Sequence, residues 1–399
     1  MESIENHPPP WATYRLQFHQ GFPFQAARKL VPYLEDLGVS HLYASPLCKA
    51  RRGSLHGYSV TNPLELNSEL GTRNSFEALI RRLQSKEMGL ILDVVPNHMA
   101  LSHDNPWWMD VLENGQGSPY APFFDIDWDP PYGPLQGKIL IPILGRPYGQ
   151  VLEGQELHLA LEEKGFFIHY YEHKFPLDPK STFNILTYKI NRLERELGET
   201  DPGRLGLTGL INLIENLPPR TEKGKKKLTV RLRQIDFLKR SLWFLYQGNP
   251  FIKKWIDQTI AEFNGTIGEP GSFELLDTLL RAQPYWLAFW RVSLEMINYR
   301  RFFSINDLIS IRVEDEHVFE ATHALVLALM EEGKLAGLRI DHIDGLYDPQ
   351  GYFSRLLQRS GKEQNDRVNK PGFYLIVEDI LSGDEMVPEE WPVSGTTGY

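Results

Sequence analysis

The sequence predicts an α/β fold, a partial (β/α)8 TIM barrel with about five strands present and a large inserted lobe and helical hairpin after the third. Three observations carry this. Short apolar runs alternate with amphipathic stretches over the first hundred residues. The run GLILDVV at 89–95 is almost unbroken apolar, as in strands that parallel sheets bury on both faces. The same alternation then returns after residue 330.

Taken in order, TYRLQF at 13–18 reads as a strand. Residues 24–37 follow as a helix with apolar side chains three and four apart, ended by Gly38. SHLYAS at 40–45 is the second strand, followed by the turn-rich ARRGSLHGYS and a helix over 75–86. After the third strand, at 89–95, the rhythm breaks. Trp107, Trp108, Tyr120, Phe123, Phe124 and Trp128 stand among Pro, Gly and Asp with no sustained period to about residue 179. Residues 182–246 then read as helical, with Leu228, Leu232, Ile235, Leu238, Leu242 and Leu245 at three- and four-residue steps. This predicts a helical hairpin that turns near Pro218 and Pro219. LAGLRI at 335–340 is a fourth strand, 351–360 a helix and FYLIVE at 373–378 a fifth strand. The expected division is 1–99 for the first part of the barrel, 100–330 for the insertion and 331–399 for strands four and five, the chain ending before closure. Five parallel strands equally begin a doubly wound sheet, but no GxGxxG or GxxxxGK[ST] follows any of them.

With 42% hydrophobic and 24% charged residues over 399, the chain has the composition of a globular protein. It lacks the run of about 18 apolar residues that a membrane helix needs, and its acidic start lacks a basic leader, so the expected place is the cytoplasm, with no membrane partner. A formal charge of −10 disfavours nucleic acid. The basic run 223–227, broken by Gly224 and without interleaved aromatics, reads as a solvated turn. Cys48, the single cysteine, reads as a small apolar residue rather than a nucleophile. No sequence feature demands a cofactor.

Parallel strands place functional residues at their carboxyl ends, and three of these strands end in acids: Asp93, Asp341 and Glu378. A single such acid is most simply a helix cap or a solvated loop residue. Three together, set among Asn97, His98, Arg339, His342 and Asp379, make a site. Glycoside chemistry needs two carboxyls in different environments. Arg339, two residues before Asp341 and on the same strand face, is expected to hold it ionised as nucleophile. Glu378, without an evident cationic neighbour and beside Asp379, is expected to be the acid.

DVVPNH (93–98), GLRIDHIDGL (337–346) and IVEDIL (376–381) resemble the first three signature regions of the α-amylase superfamily, glycoside hydrolase family 13. YRLQF, VPYLEDLGVSHLYASPL, GSLHGY, INYRRFFSINDL and SGTTGY extend the resemblance to its maltooligosyl trehalose synthase branch. The resemblance implies Asp341 as nucleophile and Glu378 as general acid/base. It implies Arg339, His98, His342 and Asp93 around the reacting glucose and Tyr58 stacked on it; no metal is expected, a calcium site near Asn97 resting on superfamily analogy alone. The implied reaction converts the reducing-end α-1,4 bond of a maltooligosaccharide, an α-1,4-glucan, into an α,α-1,1 bond, with water excluded. The aromatic lobe is the expected lid.

Two positions depart from that pattern. Ser59 replaces an acid after HGY, and Asp379 replaces the Lys that usually follows the catalytic Glu. With five of eight strands counted, a second polypeptide completing the barrel is an expected partner, and the isolated chain is expected to be inactive and poorly soluble. Two other readings stay open: a hydrolase or transglycosylase of the same superfamily, and a catalytically inactive glucan-binding remnant.

Overall fold

The computed structural model describes residues 9–222, 224–359 and 373–397. Lys223, the side chain of Lys225, Ser360, Gly398 and Tyr399, which belong to segments discussed above, lie outside the described residues, as does the acidic start to residue 8. Two compact units divide the chain. One comprises residues 1–105, 122–125 and 300–399, the other 106–121 and 126–299.

The first unit is built on a parallel sheet of six strands that follow one another in sequence order. They are β1 (Thr13–Leu16), β2 (His41–Ala44), β3 (Gly89–Val94), β4 (Gly337–Ile340), β5 (Tyr374–Glu378) and β6 (Gly395–Thr397). A monotonic order has no topological switch point, so the doubly wound alternative falls and the curled, barrel-type sheet stands. β6 adds a strand to the expected five. Its sequence GTT has no apolar run, and all three residues are only half-buried.

Local chemistry sets the remaining elements of this unit. Helix α1 (Phe24–Asp36) buries Phe24, Ala27, Val31 and Leu34, one stripe at helical spacing, and the chain leaves it through Gly38 at φ 82°. Helix α2 (Arg73–Gln84) starts at Thr72, whose hydroxyl accepts from the Ser75 N–H, and buries Phe76, Leu79, Ile80 and Leu83. All six residues of β3 are buried, as a strand covered on both faces requires. Helices α3 (Glu316–Glu331) and α4 (Pro349–Arg359) are joined by a buried bond between the imidazole of His323 and the hydroxyl of Tyr352, 2.8 Å.

In the second unit the predicted helical hairpin is present as Pro202–Glu215 and Lys225–Gly248, with Pro218 and Pro219 in the turn. Lys225 to Lys227 form the first turn of the longer helix, behind the N-cap Gly224, rather than a loop. The segment read as aperiodic carries strands after all. Ile139–Leu144 pairs in parallel with Tyr285–Phe289, and His158–Glu162, Gly165–Tyr170 and His173–Pro176 form an antiparallel sheet. Pro142 inside one strand and the charged hairpin at 162–165 mask the pattern. Trp107 and Trp108 are buried in this unit, and Phe123 and Phe124 in the other. Buried rings cannot offer a face to a glucan, so these four are core and the lid expectation loses them.

Candidate active site

Register converts the strand ends into one constellation. Arg15 lies opposite Tyr43, Tyr43 opposite Ile91, Asp93 opposite Arg339, and Arg339 opposite Ile376. Strand side chains alternate, so Asp93 shares the face of Ile91, Asp341 that of Arg339 and Glu378 that of Ile376. Arg15, Tyr43, Asp93, Arg339, Asp341 and Glu378 therefore converge on one face.

Arg339 is the hub. Its Nη1 donates to Asp93 Oδ1 at 2.8 Å and to Asp341 Oδ1 at 2.6 Å, while Nη2 lies 3.2 Å from Glu378 Oε2. All four side chains are buried. This arrangement corrects two expectations. Glu378 does have a cationic neighbour, and it also accepts the backbone N–H of His342 at 2.8 Å. Nor does Arg339 hold Asp341 ionised: burial, then the Asp93 charge, and further the Glu378 charge push that carboxyl up to about 8 against the guanidinium's pull. One guanidinium cannot neutralise three buried carboxyls, and burial raises the Asp93 carboxyl as well as that of Asp341.

Asp93 is held from its other side. Tyr58 donates its hydroxyl to Oδ2 at 2.6 Å and Tyr43 donates at 3.1 Å. Arg15 donates to the Tyr58 hydroxyl at 3.1 Å and stands 4.0 Å from Asp93 Oδ2. Burial and the Asp93 charge push the Tyr43 phenol up to about 12 and the Tyr58 phenol higher still, so both remain donors at any physiological pH. Gly57, at φ 84° and with no room for a Cβ against the Pro46 carbonyl, lets the chain bring Tyr58 in.

Burial drives the His98 imidazole down to about 3, so it is neutral. Its Nε2, Asn97 Oδ1 and Arg339 Nε are buried without a hydrogen-bond partner among the described residues. Unpaired polar atoms beside a carboxyl cluster are suited to receive sugar hydroxyls. Asn97 packs against Gly345, and no group of three or more His, Cys, Asp or Glu side chains able to hold an ion occurs among the described residues. No chemistry is derived through an ion near Asn97.

Phe302 lies over this cluster, its ring centroid 4.3 Å from that of His98 and 4.7 Å from that of His342, and Phe303 is 4.9 Å from His342. The segment is pinned by Arg300, which binds Asp125 at 2.7 Å and the Gly345 carbonyl, and by Leu308–Ser310 pairing antiparallel with His98–Ala100. Arg15, Tyr43, Phe302 and Phe303 went unassigned in the sequence although each lies within a stretch that resembles the superfamily. The first two stand on strands without a terminal acid, and only the register between strands brings them to the acids. Of the departures, Ser59 is buried and leaves no carboxylate there. The Asp379 carboxyl, pushed up by burial and by Asp344 and Glu385, hydrogen-bonds to Asp344. Burial pushes the Cys48 thiol up to about 12, in keeping with an inert side chain.

The alpha-amylase catalytic-domain profile matches residues 27–176. A putative maltooligosyl trehalose synthase of Mycobacterium tuberculosis is 32% identical over 396 residues, 97% of this chain and 37% of that protein. The maltooligosyltrehalose synthase structure from Arthrobacter ramosus superposes with a TM-score of 0.66 at 29% identity, covering 98% of this chain and 37% of the other. A glycosyltrehalose synthase structure designated DSM5389 gives 0.65 at 30% identity, covering 97% and 40%. The chain thus spans well under half the length of these relatives. No described helix is long and apolar enough to cross a membrane. By sequence and by fold, the chain is similar over residues 27–176 to the alpha-amylase catalytic domain and along nearly its whole length to part of the maltooligosyl trehalose synthases.

Proposed function

We propose that this polypeptide acts in the cytoplasm on maltooligosaccharides as an intramolecular glucosyl mutase, turning the reducing-end α-1,4 bond into an α,α-1,1 bond. The observation that carries the reading is Arg339 shared among three buried carboxyls, too few cations to hold all of them ionised. A retaining glycosyl transfer begins from one ionised and one protonated carboxyl. Similarity along 97% of the chain supports the mutase branch.

In this mechanism Glu378 protonates the last α-1,4 oxygen while the Asp341 carboxylate attacks the anomeric carbon, and the carbon–oxygen bond breaks to release glucose. The glucose is retained and turns. Its anomeric hydroxyl then attacks the glycosyl-enzyme, Glu378 takes the proton and Asp341 departs, so two inversions give net retention. Asp93 and Arg339 would bind hydroxyls of the reacting ring, together with the neutral His98, and Tyr58 would line its face. The strands that an eight-stranded barrel needs beyond the six observed would come from further polypeptide.

The test is incubation of the chain with maltopentaose, alone and with the product of any reading frame immediately downstream. Loss of reducing ends that disappears in Asp341→Asn supports the proposal. Release of glucose with shorter glucan moves the chain to the hydrolases, and no consumption in either mixture overturns the reading.

A further inference from the structure

We infer that Phe303 is a specificity-determining residue: its exposed ring is the platform on which the released glucose is held while it turns. The inference rests on the mutase reading and names the group responsible for retention. Three observations converge. Phe303 is 62% exposed although apolar. It adopts φ 48°, a left-handed conformation that a bulky side chain adopts only where its surroundings impose it, and such outliers cluster at ligand sites. It meets His342, itself at φ 49°, ring to ring at 4.9 Å.

His342 fixes the place of this pair in the reaction. Its backbone N–H holds Glu378 Oε2 at 2.8 Å, and the glycosidic oxygen must approach the carboxyl of Glu378 to be protonated. The departing glucose is therefore on the side of Glu378, beside His342 and within reach of Phe303. Directional hydrogen bonds would fix one orientation of that sugar and oppose the rotation that exposes its anomeric hydroxyl. A flat aromatic face holds a pyranose by apolar contact and tolerates both orientations. Phe302, wedged between His98 and His342, is the support behind that platform.

The experiment is saturation-transfer NMR of maltopentaose on the full chain carrying Asp341→Asn, which binds without turnover. The reducing-end anomeric protons, resolved from those of the interior rings, report contact at this position. Phe303→Ala is expected to lower their saturation about fivefold relative to the interior rings. Phe303→Tyr should retain it, and circular dichroism checks that both variants are folded. In any preparation that turns over, Phe303→Ala should shift the products from trehalosyl glucan towards free glucose. Maltopentaose binding with reducing-end saturation unchanged in Phe303→Ala overturns the role of Phe303 alone. Absence of any maltopentaose signal in the Asp341→Asn parent overturns the glucan reading, and this inference with it.

Discussion

Both units bury ionic clusters, and they balance charge in opposite ways. In the second unit the carboxyls Asp110, Glu113 and Asp178 face the cations Lys239, Arg220 and Arg231. Asp178 binds Arg220 at 2.9 Å and Arg231 at 3.3 Å, and Glu113 binds Lys239 at 2.5 Å. In the first unit Asp93, Asp341 and Glu378 share Arg339, and the further cation that reaches them among the described residues, Arg15, is a third exposed and 4.0 Å away. A balanced cluster holds elements together. An anion-rich one destabilises its own fold, and it keeps a proton available for chemistry.

Removing a carboxylate is the sharpest way to break that comparison. Asp178→Asn leaves the fully buried Arg231 without its counter-charge and should cost about 4 kcal/mol of unfolding free energy. Asp341→Asn should do the reverse. Because the folded-state pKa of Asp341 is raised, the folded state binds the extra proton, and stability drains away as pH rises from about 4 towards 8. Asparagine removes that penalty, so a gain of about 3 kcal/mol is expected near pH 7.5, fading towards pH 4. Urea titrations of the two variants at several pH values measure both. Two destabilisations of equal size would mean that the site is an ordinary structural cluster.

A smaller effect concerns the buried His323, which touches no carboxyl and is driven down to about 4 by burial. Its pKa is depressed on folding, so the unfolded chain takes up the proton first. Stability is whole above pH 6.5 and falls below it, by about 2 kcal/mol at pH 5. His323→Gln should flatten the acid limb by that amount, leaving the share that belongs to His98. An unchanged slope would show that His323 is already protonated in the fold.

How much of this was legible depends on whether the information is local. β3, β4 and the acids at their ends could be read because a doubly covered strand leaves an apolar run and a strand end is a fixed place for function. β6 could not, since GTT owes its conformation to the neighbouring β5. The Arg339–Asp341 contact was visible as an i, i+2 pair. The sharing of Arg339 with Asp93 and Glu378 was not, because it depends on register between strands far apart in the chain. Phe303 carries no local signal of its conformation, since phenylalanine does not favour positive φ.

The least effect, and the finest test of the unbalanced site, comes from the two phenols on Asp93 Oδ2. Both are neutral donors to one carboxylate oxygen and differ in distance, 2.6 Å from Tyr58 and 3.1 Å from Tyr43. Tyr58 is further polarised because Arg15 donates to its oxygen, which directs the hydroxyl proton towards Asp93. Tyr58→Phe should therefore weaken maltopentaose binding in the Asp341→Asn background by about 1.5 kcal/mol, and Tyr43→Phe by about 0.5 kcal/mol. Arg15→Gln should bring the Tyr58 effect down towards that of Tyr43, and calorimetry on the four combinations of Arg15→Gln with Tyr58→Phe reads the coupling directly. Additive losses would show that Arg15 contributes only its distant charge. Coupling of Arg15 with Tyr58 but not with Tyr43 would show that Asp93 is held by a directed chain of donors, the order that a site poor in cations needs to keep that carboxyl fixed.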